Sequence, residues 1–250
     1  MGMDKRPLLS LGGLSAWYVP GHPVLSEISL DLEAHEVVGL IGRNGAGKTT
    51  LFKALAGLLP GCRLDRAAWQ GQEIAFRDNR FKEKRYIVFA EERSFSYFTF
   101  QDYLAYAADA YGVPLPEVSG LVSGFHFEGE TQVLFRELST GNRKKAALIT
   151  AFALRPKLLL LDEPVNGLDF QSTEFLYQLM RSYKQVGTLL FASHILESIC
   201  LTADRVLVLE EGKFRRTFSG GELDAGTIRE VLHRADDGES PGQRTFWREV

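Results

Sequence analysis

The 250-residue sequence has few cysteines, little net charge and no long apolar run. Its two cysteines, Cys62 and Cys200, lack metal-type spacing, so we expect reduced packing residues of a cytosolic protein, with a redox role as the alternative. The formal net charge of −3 gives no electrostatic reason to expect nucleic acid as a partner. Apolar runs such as the four leucines at 158–161 fall far below the roughly 20 residues of a membrane-spanning helix. We therefore expect a globular protein that stays in the cytoplasm.

Short apolar segments alternate with helical patterns along the chain. Apolar residues at helical spacing over 51–59, followed by Pro60-Gly61, predict a helix that stops there. Alternating or continuous apolar segments predict strands at 24–32, 36–41, 85–90, 157–161, 188–192 and 205–209. Such strands, separated by helices, predict a mainly parallel sheet that is covered on both faces.

Two segments differ from this pattern. Residues 94–135 read as a helical insertion, with aromatics and alanines of helical character from Phe95 to Tyr111 and a stop at Gly112-Val113-Pro114. Residues 234–250 are rich in charge, glycine and proline, which predicts a flexible tail. Anchoring of a partner by Phe246 and Trp247 is the alternative for that tail.

Residues 42–50 match the pattern of a phosphate-binding loop. The pattern is Gly, four residues of any type, Gly, Lys and Ser or Thr, and chance yields it about 0.01 times in a chain of this composition and length. Glycines let the backbone N–H groups curl around a phosphate, and the following helix adds its partial positive charge. We expect Lys48 to contact the β- and γ-phosphates, and Thr49 to offer its hydroxyl to magnesium. The nucleotide-binding residues predicted here are Gly42, Arg43, Asn44, Gly45, Ala46, Gly47, Lys48, Thr49 and Thr50.

Two carboxylates follow the leucine run at the end of a buried strand. Ligands bind at strand carboxyl ends in open parallel sheets, so Asp162 is expected to hold magnesium and Glu163 to activate the attacking water. A solvated acidic turn is the alternative interpretation. His194 follows another apolar strand, where a lone histidine is more often structural.

With these motifs, nearly the whole chain from Leu8 to about Phe218 resembles the ABC transporter ATPase family. Residues 138–142, Leu-Ser-Thr-Gly-Asn, are similar to that family's signature segment, and residues 166–169, Asn-Gly-Leu-Asp, to its D-loop. His194 resembles the switch histidine and Tyr18 the adenine-stacking aromatic, with Trp17 as the alternative. Glu91 falls where the family usually has the glutamine of the Q-loop.

The resemblance implies an α/β fold, in which a P-loop NTPase core with a mainly parallel sheet carries an antiparallel β subdomain and a helical insertion. It implies one ATPase domain over residues 1–233, with its core at about 8–92 and 156–218, a helical subdomain at about 93–155 and the tail at 234–250. The implied cofactors are ATP and Mg²⁺. Thr49, Asp162 and Glu91 are the expected metal residues, and Glu163 and His194 the catalytic ones.

The family pattern implies that the signature segment acts on a second subunit. Two such domains pair head to tail, so Ser139, Gly141 and Asn142 would bind ATP held by the partner's phosphate loop. A homodimer would then have two competent sites, although a heterodimer is also open. Residues 143–145, Arg-Lys-Lys, continue the helix and are expected to form a mainly solvated face.

Several departures from the family pattern suggest a branch. Glu91 adds negative charge near the phosphates, Thr140 and Asn142 replace a glycine and a glutamine of the signature, and Val165 stands where Thr or Ser is common. These departures point away from sugar and amino-acid importers and toward subunits that work with separately encoded export permeases. The expected location is therefore the inner face of the membrane, where a permease would hold the chain.

An aromatic stretch is the expected contact with that permease. The stretch contains Phe95, Tyr97, Phe98, Phe100 and Tyr103, and the alternative is that these aromatics form the insertion's own core. Two other functions remain open: a soluble ABC-type ATPase scaffold, such as an iron–sulfur assembly ATPase, and a P-loop enzyme that transfers phosphate to a small molecule. The signature-like segment argues against the second.

Overall fold

The computed structural model describes residues 6–91 and 94–234, with side chains throughout except at 197 and 231–234. The strands are β1 (Leu9–Val19), β2 (His22–Leu32), β3 (Val37–Ile41), β4 (Gly61–Arg63), β5 (Arg66–Trp69), β6 (Gln72–Glu73), β7 (Arg85–Val88), β8 (Leu158–Asp162), β9 (Thr188–Ala192), β10 (Arg205–Glu210) and β11 (Lys213–Ser219). The helices are α1 (Lys48–Ala56), α2 (Asn79–Lys82), α3 (Phe100–Ala110), α4 (Ser119–Gly124), α5 (Thr140–Leu154), α6 (Phe170–Ser182), α7 (Leu196–Thr202) and α8 (Ala225–Arg234).

Six strands form the central sheet, in the order β11-β10-β3-β9-β8-β7. The strands from β10 to β7 pair in parallel, and β11 pairs antiparallel with β10. Strands β3, β8 and β9 are buried along their whole length, as strands covered on both faces must be. The predicted mainly parallel sheet is confirmed. Its parallel strands bring their carboxyl ends to one edge, where β3 leads into the phosphate loop and β8 ends at Asp162.

Side chains of the central strands alternate between two apolar cores. In β8, Leu159 and Leu161 pack into a core shared with the insertion and α6, whereas Leu158 and Leu160 pack into a core shared with α1 and the second sheet. Successive residues of a strand point to opposite faces, so both faces of β8 need apolar side chains. The leucine run is therefore a requirement of the layered packing.

The second sheet is antiparallel, with the order β2-β1-β5-β6 and with β4 also paired to β1. The predicted strand over 24–32 lies within β2, and its register against β1 is irregular between Leu25 and Ile28. Glu27, inside that step, has a φ of 53°. A bulge there keeps both Leu25 and Ile28 facing the core despite their odd spacing. The antiparallel unit implied by the family resemblance is confirmed.

The helical insertion consists of α3, α4 and α5, which lie in the chain between β7 and β8. Helix α3 starts at Phe100, five residues later than the start predicted at Phe95. The Thr99 side chain accepts the N–H of Asp102, and the Asp102 carboxylate accepts the N–H of Thr99, which fixes the helix start. Rings buried in the insertion's core are those of Phe100, Tyr103, Phe125, Phe127 and Phe135.

Helix α1 covers a different range from the predicted one. It starts at Lys48 and ends at Ala56, whereas the apolar spacing predicted 51–59. Gly57 adopts φ 73°, and its N–H bonds back to the Ala54 and Lys53 carbonyls, which ends the helix before Pro60. The apolar residue Leu59 is buried, but it packs from the following loop.

Some of the remaining predictions fall on described residues and others do not. Cys62 and Cys200 are free thiols, and Cys62 is exposed in β4, so its prediction as a packing residue is wrong. Residues 235–250, which include Phe246, Trp247 and nearly all of the predicted tail, lie outside the described residues, as do Glu92 and Arg93. Among the described residues, no helix combines the length and apolarity that crossing a membrane requires.

Candidate active site

The phosphate loop connects β3 to α1. Gly47 has a φ of 109° and precedes the first helical residue, and no side chain caps the N-terminus of α1. A Cβ at Gly47 would lie 2.7 Å from the Leu25 side chain, and one at Gly42 would lie 2.3 Å from the Leu209 carbonyl oxygen. Larger residues therefore do not fit at either position. The backbone N–H groups at the start of α1 remain available to an anion.

The charged and polar side chains of the phosphate loop differ in exposure. Arg43, Asn44 and Thr49 are exposed, whereas Lys48 is buried. The Lys48 ammonium donates to the Gly42 carbonyl at 2.7 Å and lies 3.4 Å from that of Arg43. The lysine thus points into the curve of its own loop, where phosphate oxygens would sit.

A hairpin turn supports the loop from outside. The Gly212 N–H donates to the Ala46 carbonyl at 3.2 Å, and the Ser26 N–H donates to the Gly212 carbonyl at 3.0 Å. Glu211 and Gly212 both have positive φ values, as a tight turn between β10 and β11 requires. A Cβ at Gly212 would lie 2.1 Å from the Val24 carbonyl oxygen. Sequence reasoning missed this support, although a Glu-Gly pair after an apolar strand is a turn signal.

Asp162 is fully buried at the end of β8. The Thr49 hydroxyl donates to its Oδ2 at 2.8 Å, while Oδ1 has no hydrogen-bond partner among the described residues. Burial raises the pKa of the Asp162 carboxyl, and the Glu163 carboxylate adds to that rise. An orphaned carboxylate oxygen beside a threonine hydroxyl suits Mg²⁺, which prefers oxygen ligands and retains several waters. The residues present therefore fit this ion.

Glu163 connects the loop lysine to the histidine. Its Oε2 lies 2.8 Å from Nδ1 of His194, and its Oε1 lies 3.8 Å from Nζ of Lys48. The backbone N–H of Glu163 donates to the Ala192 carbonyl, so the residue is fixed to the end of β9. Glu163 has a φ of 48°, a left-handed conformation that costs energy in a residue other than glycine. Such strain is typical of functional sites because the surrounding structure must enforce it.

The signature segment forms the start of α5. Ser139 caps this helix, since its hydroxyl accepts the Asn142 N–H at 3.1 Å, and Ser139 itself is exposed. Gly141 packs so tightly on the D-loop that an added Cβ would lie 2.4 Å from the Gly167 carbonyl oxygen. The segment is thus presented at the surface while its backbone rests on the D-loop.

The prediction of a solvated face at residues 143–145 is wrong for two of the three. Lys144 is 4% exposed and Lys145 6% exposed. Lys144 donates to the Phe89 carbonyl at 2.7 Å, and the Lys145 ammonium lies 2.6 Å from the Asp169 carboxylate. That contact, together with the N–H of Ser172, holds the pKa of Asp169 well below its usual range. The sequence pattern showed the two charges but not the carbonyl and the carboxylate that pair with them in the interior.

Tyr18 lies beside the first turns of α1. The residue is 45% exposed, its hydroxyl lies 3.5 Å from Oγ1 of Thr50, and Nζ of Lys53 lies 5.5 Å from the ring centre. Trp17, its sequence neighbour, is instead held against Gly61, where an added Cβ would meet the indole at 2.0 Å. The exposed ring next to the phosphate loop is therefore that of Tyr18.

Glu91 lies in a cleft beside the signature segment. It lines a cleft of about 690 Å³ together with Thr140, Lys144 and Asn166. Within the described residues, Thr49 and Asp162 are not among those that line this cleft. The structure places Glu91 next to the signature segment and the D-loop, and a role in metal binding stays a prediction.

Three comparisons with known proteins agree with this geometry. The family model described as ABC transporter matches residues 25–166, more than half of the chain. The Bacillus subtilis ABC transporter ATP-binding protein AlbC is 33% identical over 225 residues, which span 86% of this chain and 93% of AlbC. The sulfate/thiosulfate import ATP-binding protein CysA 1 of Agrobacterium fabrum is 33% identical over 217 residues, or 80% of this chain and 60% of that protein.

Solved structures show the same likeness. The structure of an ATP binding subunit of an ABC transporter superposes with a TM-score of 0.78 at 27% identity and covers 90% of this chain and 94% of its own. That of cbiO1 from Clostridium perfringens, part of the ABC transporter complex cbiONQ, gives a TM-score of 0.69 at 27% identity and covers 93% and 97%. The resemblance inferred from the motifs is confirmed, and the chain belongs to the ABC transporter family as one of its ATP-binding, ATP-hydrolysing subunits.

Proposed function

We propose that two copies of this chain enclose ATP and Mg²⁺ between the phosphate loop of one and the signature segment of the other, and that hydrolysis drives export through a permease on a separate chain. The observation that carries the proposal is the cluster at the carboxyl edge of the sheet. There Lys48, Thr49, Asp162, Glu163 and His194 are joined by direct contacts.

Each side chain of the cluster has a distinct task. Lys48 and the N–H groups of α1 bind the β- and γ-phosphates and offset their charge. Thr49 and Asp162 would hold Mg²⁺, which would supply positive charge to neutralise the phosphates. Glu163 accepts a proton from the attacking water, and His194 holds the Glu163 carboxylate in one orientation through the 2.8 Å contact. Tyr18 stacks on adenine from the side of α1.

The exposed signature segment supports action in trans. Ser139 and Thr140 are exposed, so a second chain can reach them, and Gly141 supplies an N–H group at a helix start, while the Asn142 N–H is held by the Ser139 hydroxyl. ATP would therefore join two copies, and hydrolysis would remove the joint. Such a cycle shifts a population between closed and open pairs because only the closed pair makes both sets of phosphate contacts.

The permease would dock on the aromatic stretch of the insertion. Phe100 and Tyr103 are buried and serve the insertion's core, whereas Tyr97 is 75% exposed. Phe95 and Phe98 are half-buried and contact the exposed ring of Tyr106, which completes a surface that we call the aromatic platform (Phe95, Tyr97, Phe98 and Tyr106). Some aromatics of the stretch thus belong to the insertion's core, and others are available to a partner. Docking there would hold the chain at the inner face of the membrane.

The dimer is tested in a hydrolysis-deficient background. In Glu163→Gln, Mg·ATP should convert monomers to dimers by light scattering, and Ser139→Arg should abolish the conversion because it fills the phosphate-facing helix start. Ser182→Arg, at an exposed serine at the end of α6, is the matched control and should dimerise normally. Equal dimerisation of the Ser139 and Ser182 variants would contradict action in trans.

The permease and the direction are tested together. Co-purification from membranes should retain an integral-membrane chain, and Tyr106→Arg should release it while Leu58→Arg, at another exposed apolar residue, should not. In vesicles with the ATPase facing outward, export means ATP-dependent accumulation of the permease's substrate inside. ATP-dependent loss from the vesicles would reverse the direction, and a chain recovered with soluble assembly partners alone would favour the scaffold function.

A further inference from the structure

Lys144 joins two parts of the molecule that lie 55 positions apart in the chain. Its ammonium is buried and donates to the carbonyl of Phe89, the residue that directly follows β7. Loss of a charge-assisted hydrogen bond by a buried ammonium is unfavourable, so the position of α5 is tied to the position of Phe89. The bond crosses from the helical insertion to the central sheet.

The acceptor side of this bond is fixed to the catalytic edge. Strand β7 pairs in parallel with β8, and Val88 lies opposite Leu161, one residue before Asp162. Phe89 is therefore held next to the strand end that carries Asp162 and Glu163. On the donor side, the next residue, Lys145, contacts Asp169 of the D-loop. The first turns of α5 are thus fastened to the sheet and to the D-loop by two adjacent buried lysines.

The chain that leads into the signature segment is fastened to the same region. The Phe135 N–H donates to the Phe98 carbonyl at 2.9 Å, and the Arg136 N–H donates to the Ser96 carbonyl at 3.0 Å. The segment that follows Glu91 is therefore bonded to the chain just before the signature segment, and Phe89 is bonded to Lys144 just after it. A displacement of residues 89–91 must either carry the signature segment along or break the Lys144 bond.

We propose that Lys144 is a positioning residue that sets the orientation of the signature helix relative to its own subunit's catalytic edge. Through this bond, Ser139 and Gly141 meet the partner's phosphates only when residues 89–91 are in place. The role of Lys144 rests on the ATP-dependent dimer proposed above. It differs from the direct binding of phosphate by Lys48, because Lys144 bonds to the Phe89 carbonyl, and its charge acts on the nucleotide site through a favourable interaction with Asp162.

The test separates ATP binding from ATP-driven pairing. In the Glu163→Gln background, Lys144→Met removes the donor but retains the length of the chain, Lys144→Arg retains a charged donor, and Lys157→Met alters an exposed lysine as control. Binding of Mg·ATP to the monomer by calorimetry should stay within about twofold in all three. Dimerisation should weaken about tenfold in Lys144→Met, the scale of a lost charge-assisted hydrogen bond, and should largely recover in Lys144→Arg.

The outcomes distinguish this inference from the proposed function. If the Glu163→Gln parent itself does not dimerise with ATP, the proposed function fails, whereas a normally dimerising Lys144→Met variant refutes only the role of Lys144. A parallel loss of ATP binding, or an arginine variant as impaired as the methionine one, also refutes it. A second measurement does not depend on the variants folding: in the Glu163→Gln parent, Mg·ATP should change amide hydrogen exchange of residues 86–91 and 140–146 together. A change confined to one segment would contradict the coupling.

Discussion

Replacement of the buried carboxylate Asp162 by asparagine should stabilise the nucleotide-free protein while it disables the enzyme. Asp162 is fully buried, one of its oxygens has no partner among the described residues, and the next residue carries a second carboxylate. The Thr49 hydroxyl donates a hydrogen bond to the Asp162 carboxylate, and an asparagine oxygen can still accept that bond. Asp162→Asn therefore removes a buried charge and keeps the existing hydrogen bond.

The size of the effect follows from those contacts. An unsatisfied buried polar group costs about 1–3 kcal/mol, and a charged one costs more. The asparagine removes the charge, but its N–H₂ group is also buried and polar, so part of the cost remains. We expect a net gain of about 1 kcal/mol in the free energy of unfolding, or about 2–4 °C in the midpoint for a chain of this size. Loss of a carboxylate from the Mg²⁺ site should lower hydrolysis by at least about 10²-fold.

The gain in the free energy of unfolding should depend on pH. The pKa of Asp162 is raised in the folded chain, so the folded state binds this proton more tightly than the unfolded chain does. The wild type should lose stability as the pH rises from the ordinary aspartate pKa of 3.8 to the raised pKa of the folded chain, and the variant should lack this loss. The advantage of Asp162→Asn should thus be full above the folded pKa and vanish below the unfolded one.

Calorimetric unfolding in EDTA, without nucleotide, measures this advantage at several pH values. Asp109→Asn, at an exposed position of α3, is the control and should leave the midpoint unchanged. A variant that is less stable than the wild type at neutral pH would refute the reasoning, because it would mean that the favourable charges of Lys144 and Lys48 outweigh the cost of burying the carboxylate.

Three further changes test the site. Glu163→Gln should retain ATP binding but slow turnover by about 10²–10⁴-fold in a phosphate-release assay, and unchanged hydrolysis would exclude Glu163 as the base. Tyr18→Ala should weaken ATP binding by about 1–3 kcal/mol in a titration while Tyr18→Phe retains it, and equal affinities would exclude stacking. Gly141→Ala places a Cβ 2.4 Å from the Gly167 carbonyl oxygen and should lower hydrolysis by roughly 10²-fold, whereas Thr140→Ala should not. Full activity of the Gly141 variant would show that the D-loop can shift to make room for a methyl group without loss of function.

The sequence predicted the elements whose signal is local. Periodicity located all of the central strands except β11, and the spacing of Gly42, Gly47 and Lys48 located the phosphate loop between a strand and a helix. These features follow from side-chain alternation and from turn chemistry, which neighbouring residues determine. Five motifs in order were enough to identify the family because each has its own residue types.

What the sequence could not predict depends on partners that are distant in the chain. Lys144 and Lys145 look like a solvated pair until Phe89 and Asp169 are placed beside them. The contact between Glu163 and His194 joins positions 31 apart, and a helical pattern alone did not show that Gly57 would end α1. Tertiary contacts decide such cases, and local propensity does not.

The four leucines of β8 have one more consequence. Because the four side chains are identical, they do not specify which leucine lies opposite Thr188. A slip of β8 by one residue would still leave an unbroken apolar run within the sheet. Yet that slip would put Glu163 in the place of Asp162, or Asp162 in the place of Glu163, depending on its direction, since it turns every side chain to the opposite face. The alignment must therefore be fixed where the leucines stop. The N–H of Leu158 bonds to the Lys84 carbonyl at one end, and Asp162 meets Thr49 at the other. Residues that flank this strand thus decide which carboxylate faces the metal and which faces the water.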